Sequence, residues 1–231
     1  MITVRDLSCK RGGTTVLDNV SLRIDDGESI VIAGANGSGK TTLVRHFNGL
    51  IESDSGTVSV DGTPVSEDLL AARTSIGMVF QNPRDCFVAA TVEPDVAFGP
   101  ENLGLPREEI DRRVEDALSA VDMLSHRDAR IDRLSGGQQA RVAIAGALAM
   151  EPNHLVLDEP FSGLDHPTRT SIRRRLEALS DDGTSIVIVT HDLRELNSFV
   201  DRIVVLSGGK IVLETETTDT EELLEFDVQP C

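Results

Sequence analysis

Three continuous apolar runs organise the chain: Ser29-Ile30-Val31-Ile32-Ala33, Leu155-Val156-Leu157 and Ile186-Val187-Ile188-Val189. A strand with one wet face alternates apolar and polar residues, so uninterrupted runs predict parallel strands covered on both faces. Before the first run, alternation through Val4, Leu7, Val20, Leu22 and Ile24, with turn signals at Gly12-Gly13 and Asp25-Asp26-Gly27, predicts short antiparallel strands. The segments from Gly56 to Gly62 and from Ile76 to Phe80 predict two more strands, both in the body of the main sheet. Between residues 82 and 133 the period changes: Val114, Leu118, Val121 and Leu124 follow the breaker Leu105-Pro106 at helical spacing, which predicts an inserted helical lobe. Ile203 to Leu206 and Lys210 to Leu213, joined by Ser207-Gly208-Gly209, predict a hairpin, and the acidic tail from Glu214 a short helix or frayed end. No internal repeat interrupts this α/β pattern, and 231 residues suffice for one large folding unit.

The buried runs end in chemistry. Gly34-Ala35-Asn36-Gly37-Ser38-Gly39-Lys40-Thr41 fits a phosphate-binding loop between the first run and a helix, with Thr42 next in line. Its glycines let successive N–H groups turn toward phosphates, Lys40 would reach the β- and γ-phosphates, and the Thr41 hydroxyl would ligate Mg²⁺. The second run ends in Asp158-Glu159, where Asp158 would hold Mg²⁺ and Glu159 would polarise an attacking water as general base. An Asp-Glu pair can also be a plain acidic turn, but the loop upstream favours the site. Gln81 and His191 each follow an apolar strand, the place where ligands meet an open parallel sheet. Leu134-Ser135-Gly136-Gly137-Gln138 belongs to neither group. Ser135 with Gln138 three residues on is a capping-box pattern, so the motif should open a helix whose N–H groups, left accessible by Gly136 and Gly137, form a second anion site.

With these motifs in this order, the sequence resembles the ATP-binding cassette ATPases over nearly its whole length. The resemblance implies a P-loop NTPase (RecA-like) fold: a parallel-sheet core, an N-terminal antiparallel β subdomain and an inserted α-helical subdomain. On this chain that is a single ATPase domain, residues 1–231, divided as 1–81, 82–133 and 134–231. It implies ATP and Mg²⁺ as cofactors, Gln81 as a residue touching Mg²⁺ or the water, and His191 as a contact to the γ-phosphate. It also implies that Ser135, Gly136, Gly137 and Gln138 of one subunit close over the nucleotide held by another, with Asp165 of Ser162-Gly163-Leu164-Asp165 crossing the interface. Both half-sites are intact here, so a homodimer or a heterodimer with a related ATPase is expected. Where the family stacks an aromatic residue on adenine this chain has Arg11, and it contains no Tyr or Trp at all. A guanidinium lies less selectively on a base, so GTP should be used nearly as well as ATP.

Val79-Phe80-Gln81-Asn82-Pro83 and the stretch from Thr91 to Leu105 resemble more narrowly the ATPases of energy-coupling factor importers, which take up vitamins or cobalt and nickel ions. That implies an integral membrane coupling subunit, a substrate-binding membrane subunit and a place on the cytoplasmic face of the cell membrane. Arg84-Asp85-Cys86 departs from the acidic, Gln-containing run common in that group. The chain also stops where many members carry a C-terminal extension, so pairing should lean more on nucleotide or on the membrane subunit.

Composition narrows the partners. The formal charge is −17, with 39 Asp and Glu against 22 Lys and Arg, of which only Lys10, Lys40 and Lys210 are lysines. Phosphate backbones need a basic field, so nucleic acid is not an expected partner. A cytosol rich in salt, which screens repulsion among carboxylates, suits such a surface. Cys9, Cys86 and Cys231 have neither disulfide nor metal spacing and are expected to be inert, and His46, His126, His154 and His166 are expected to be structural or solvated. No apolar run approaches the roughly 20 residues that span a bilayer.

Overall fold

The computed structural model describes residues 1–194, 196, 199–216, 221–226 and 228; Cys231 and part of the acidic tail lie outside the described residues. Two sheets form the frame. In the first, β1 (Ile2–Arg11) and β2 (Thr14–Ile24) make a long antiparallel hairpin through Gly12 and Gly13, both at positive φ, and β4 (Ser55–Val60) and β5 (Thr63–Pro64) add to the β1 edge. The strand at Gly56–Gly62 therefore joins the antiparallel sheet, against the expectation that it would lie in the main one. Its inward residues Val58 and Val60 are buried but its other face is wet, the alternation of a one-sided sheet.

The second sheet runs in the order β10-β9-β3-β8-β7-β6, from β3 (Ser29–Ala33), β6 (Ile76–Val79), β7 (His154–Asp158), β8 (Ser185–Thr190), β9 (Arg202–Ser207) and β10 (Lys210–Thr215). All neighbours are parallel except β9 and β10, the expected hairpin. The unbroken apolar runs follow from its two covered faces. Ile30, Ile32, Val156, Val187 and Val189 enter a core beneath the antiparallel sheet, with Leu43 and Phe47 of α1 (Lys40–Phe47). Val31, Ala33, Leu155, Leu157, Ile186 and Ile188 enter a second core under the helices.

Those helices are α3 (Val92–Asn102), α4 (Arg107–Ala120), α5 (Gly136–Leu148) and α6 (His166–Asp181), with the short α2 (Leu69–Ser75) elsewhere, capped by Asp68 on the N–H of Ala71. α3 covers a stretch with two prolines. Pro94 sits in the first turn, where a missing N–H costs nothing, and Pro100 sits in the last. Gly99 allows α3 to lie against Met150, since a Cβ there would be 2.4 Å from its sulfur. The buried Asp95 accepts the N–H groups of Val88 (2.7 Å) and Ala89 (2.8 Å), pinning the loop before α3, and Glu93 is paired with Arg127 at 2.6 Å. α3 and α4 both pack on α5, so in packing the lobe extends past residue 133.

Candidate functional site

β3 delivers the glycine loop to the C-terminal end of the parallel sheet. Gly34 (φ 144°) passes so close beneath β9 that a Cβ would lie 2.1 Å from the Leu206 carbonyl oxygen, and one at Gly39 (φ 108°) would lie 2.8 Å from that of Val16. Only glycine fits these turns. The Lys40 ammonium donates to the carbonyls of Gly34 (2.6 Å) and Ala35 (2.9 Å), bracing the loop from within. Burial lowers its pKa, and the charges of Glu159 and Asp158 act against that shift. The Ser38 hydroxyl is buried with no hydrogen-bond partner among the described residues, which suits a phosphate oxygen.

Asp158 closes β7 and accepts the Thr41 hydroxyl at 2.7 Å. Burial pushes its carboxyl above the usual range, an effect the adjacent Glu159 reinforces and the Thr41 bond opposes. Glu159 is a non-glycine residue at φ 49°, a left-handed conformation held by its N–H on the Val189 carbonyl at 2.8 Å. Both of its oxygens are engaged: Oε1 with His191 Nδ1 at 2.8 Å and Oε2 with the Thr190 hydroxyl at 3.0 Å. A carboxylate only accepts, so the ring carries its proton on Nδ1 and turns Nε2 outward. Thr190, at the end of β8 and missed in the sequence, is thus the second hand on Glu159.

An open cleft of about 260 Å³ gathers Asn36, Gly37, Gly39 to Thr42, Gln81, Asp158 and Glu159. Gln81 is exposed just beyond β6, and Phe80 before it donates its N–H to the Cys86 sulfur at 3.4 Å, so the cysteine expected to be inert ties down this turn. His191 opens instead onto an adjoining hollow that Glu159 shares with Ser162, Gly163 and Thr190. Arg11 is exposed at the end of β1, outside the cleft lining.

The signature segment stands apart, and none of Ser135 to Gln138 lines the cleft. It opens α5 with the expected box: Ser135 Oγ accepts the Gln138 N–H at 3.3 Å, while Gln138 Oε1 accepts the Ser135 N–H at 2.9 Å. The serine oxygen is used as an acceptor, so its proton remains available to donate outward. A Cβ at Gly136 would meet nothing within 4 Å, but one at Gly137 would lie 3.0 Å from Thr168, so the second glycine also serves packing against α6. Asp165 caps α6 by accepting the Thr168 N–H at 3.0 Å, and that bond lowers its pKa. His126 is not a bystander: its Nε2 lies 3.1 Å from Gln138 Nε2.

The family model for ABC transporters matches residues 17–162, and the chain belongs to this family of ATP-binding subunits. It is 61% identical over 224 residues to an ABC transporter ATP-binding protein of Halobacterium salinarum, covering 97% of both chains. It is 42% identical to the energy-coupling factor transporter ATP-binding protein EcfA of Methanothermobacter thermautotrophicus, over 93% of this chain and 70% of that one. Among solved structures, cbiO1 from Clostridium perfringens, part of the transporter complex cbiONQ, superposes with TM-score 0.84 at 37% identity, over 93% of this chain and 88% of cbiO1. The cassette MJ0796, in a dimeric post-hydrolysis state with ADP and Pi, does so with TM-score 0.84 at 31% identity, over 94% and 98%. The fold and the nucleotide-hydrolysing class anticipated from the motifs are those of these ATPases.

Proposed function

We propose that this chain is the ATP-hydrolysing subunit that powers a membrane importer of the energy-coupling factor type, working as one half of a head-to-tail pair. The observation that carries the reading is the presence on one chain of a charged strand-end cleft and of a separate capped helix end that lines no part of it. The dimeric MJ0796 cassette with ADP and Pi is the relevant precedent among similar structures.

In this reading the loop from Gly34 to Thr42 holds the phosphates, with Lys40 exchanging its two carbonyl bonds for phosphate oxygens. Thr41, Asp158 and Gln81 can offer oxygen donors, the set a Mg²⁺ ion takes, and a buried carboxylate beside a second one is stabilised by a cation. When bound, Mg²⁺ would neutralise charge developing on the phosphates. Glu159, fixed by Thr190 and His191, orients the attacking water and accepts its proton. Ser135, Gly136, Gly137 and Gln138 of the partner would donate to the γ-phosphate, Asp165 would lie at the interface, and Arg11, exposed at the end of β1, would reach the base from outside the cleft. ATP bridges the closed pair and ADP does not, so hydrolysis opens it.

The importer assignment draws on two large apolar side chains left in solvent, Val88 in the loop that Asp95 pins and Phe98 on α3, 61% and 47% exposed, which suit a helix of a membrane coupling subunit. The names of EcfA and cbiO1 agree with that direction. No helix among the described residues is long and apolar enough to cross a membrane, so the chain would reach the cytoplasmic face through its partners, and a membrane subunit would bind the vitamin or metal ion. The Halobacterium relative fits the high-salt reading of the acidic surface. Affinity capture of the tagged chain from native membranes should recover an integral membrane coupling subunit together with a substrate-binding one. Recovery with ribosomes and no membrane protein would overturn the assignment in favour of a soluble cassette ATPase.

A further inference from the structure

The contact between His126 and Gln138 has a direction that hydrogen-bond donors alone determine. The Ser135 backbone N–H can only donate, so the Gln138 atom facing it at 2.9 Å is the amide oxygen. The amide nitrogen therefore points at His126 Nε2, 3.1 Å away, and must find an acceptor there. The ring then carries its proton on Nδ1, which faces the Ser125 hydroxyl at 3.1 Å. The backbone of His126 is fixed: it closes the 3₁₀ turn Leu124–His126 next to the fully buried Met123, and its N–H donates to the Met123 carbonyl at 2.9 Å.

We propose that His126 is a positioning residue for the signature, fixing the Gln138 amide so that the Ser135 hydroxyl and the open end of α5 keep the geometry that receives a nucleotide from the second chain. This rests on the shared-site reading above. Without the ring acceptor, the Gln138 amide gains rotamers that abandon the Ser135 N–H, and half of the capping box loosens. The damage should fall on pairing and leave the P-loop untouched, because His126 and the cleft share no residue.

The test uses the full chain with Glu159→Gln, a background expected to keep ATP bound and unhydrolysed, and compares His126→Ala, His126→Gln and Ser135→Arg. Nucleotide affinity of the dilute monomer, melting temperature and ATP-driven dimerisation against chain concentration are read for each. Loss of one side-chain hydrogen bond predicts that His126→Ala needs about tenfold more chain to dimerise, with nucleotide affinity within about twofold of the parent. Glutamine places an acceptor oxygen near the Nε2 position, so His126→Gln should recover most of that loss. Unchanged dimerisation of His126→Ala, or loss that His126→Gln does not recover, overturns the proposal. If Ser135→Arg also dimerises like the parent, it is the shared-site reading that has failed, and the role of His126 falls with it.

Discussion

The cleft and the signature segment are built on opposite principles. The cleft collects charges at the ends of buried strands: Lys40, Asp158 and Glu159 are each held by hydrogen bonds inside the same chain. The signature contains no charged residue, and its polar groups are closed on one another through the capping box. A site of the first kind can bind a ligand alone but is costly to fold, because it buries like charges. A site of the second kind folds without cost yet offers an anion only N–H groups, one hydroxyl and a helix end, too little to hold a nucleotide without a second surface. One chain carrying both is what the proposed head-to-tail pair requires.

The largest expected effect breaks the cleft's chemistry while sparing its affinity. Glu159→Gln keeps an acceptor for Thr190 but removes the base, so turnover should fall by about 10²–10⁴-fold while ATP still binds and the closed pair accumulates, as size-exclusion chromatography with ATP would reveal. Unchanged hydrolysis would remove Glu159 from that role. Next is Ser135→Arg, which fills the open helix end with a long side chain. Nucleotide affinity of the monomer should stay near that of the parent, whereas hydrolysis and ATP-driven dimerisation should fall by about 10²-fold, the scale of losing a set of transition-state donors. If this variant pairs and hydrolyses normally, the two regions are not halves of one site.

The same contrast explains what was legible in the sequence. The glycine loop, Asp158-Glu159 and the Ser135–Gln138 box are local patterns, in which a few consecutive residues meet a backbone requirement, and each sits at the expected element end. Continuous apolar runs announced the covered parallel strands because both faces of β3, β7 and β8 enter cores. α3 was less visible, since Pro94 and Pro100 read as breakers: Pro94 falls in the first turn, where no N–H is needed, whereas Pro100 lies inside the helix and forgoes the bond to the carbonyl four residues back. The Gly56–Gly62 strand joins the other sheet because its pairing partner is β1, a long-range choice that no local pattern encodes. Thr190 and His126 escaped for a related reason: each matters through the atom it faces across a turn or between strands, Glu159 in one case and Gln138 in the other.

Thr190 gives a smaller, sharper probe of the cleft. Thr190→Val keeps shape in a buried position and deletes the donor to Glu159 Oε2. A hydrogen bond to a charged group predicts a fall in kcat of about tenfold, with KM for ATP and dimerisation unchanged. A matching loss of nucleotide affinity would mean that Thr190 supports the fold of the site and does not orient its base.

The smallest effect concerns stability and should have opposite signs in the two regions. Burial raises the Asp158 pKa, so folding favours the neutral carboxyl more than the unfolded chain does. Its contribution to stability is complete below the unfolded-state pKa and is lost as pH rises through the folded value, which makes the charged form a liability at neutral pH without ligand. Asp158→Asn keeps an oxygen for the Thr41 hydroxyl and removes that charge, so the nucleotide-free chain should melt higher than the parent at neutral pH. The gain should shrink as pH is lowered, because the wild-type carboxyl becomes protonated and the difference between the chains closes. Ser135→Ala should do the reverse, lowering stability by about 1 kcal/mol through loss of the N-cap. Thermal melts of both variants across pH, without nucleotide, read the two signs directly. If Asp158→Asn melts lower than the parent at neutral pH, the cleft is not carrying the electrostatic cost that sets it apart from the signature.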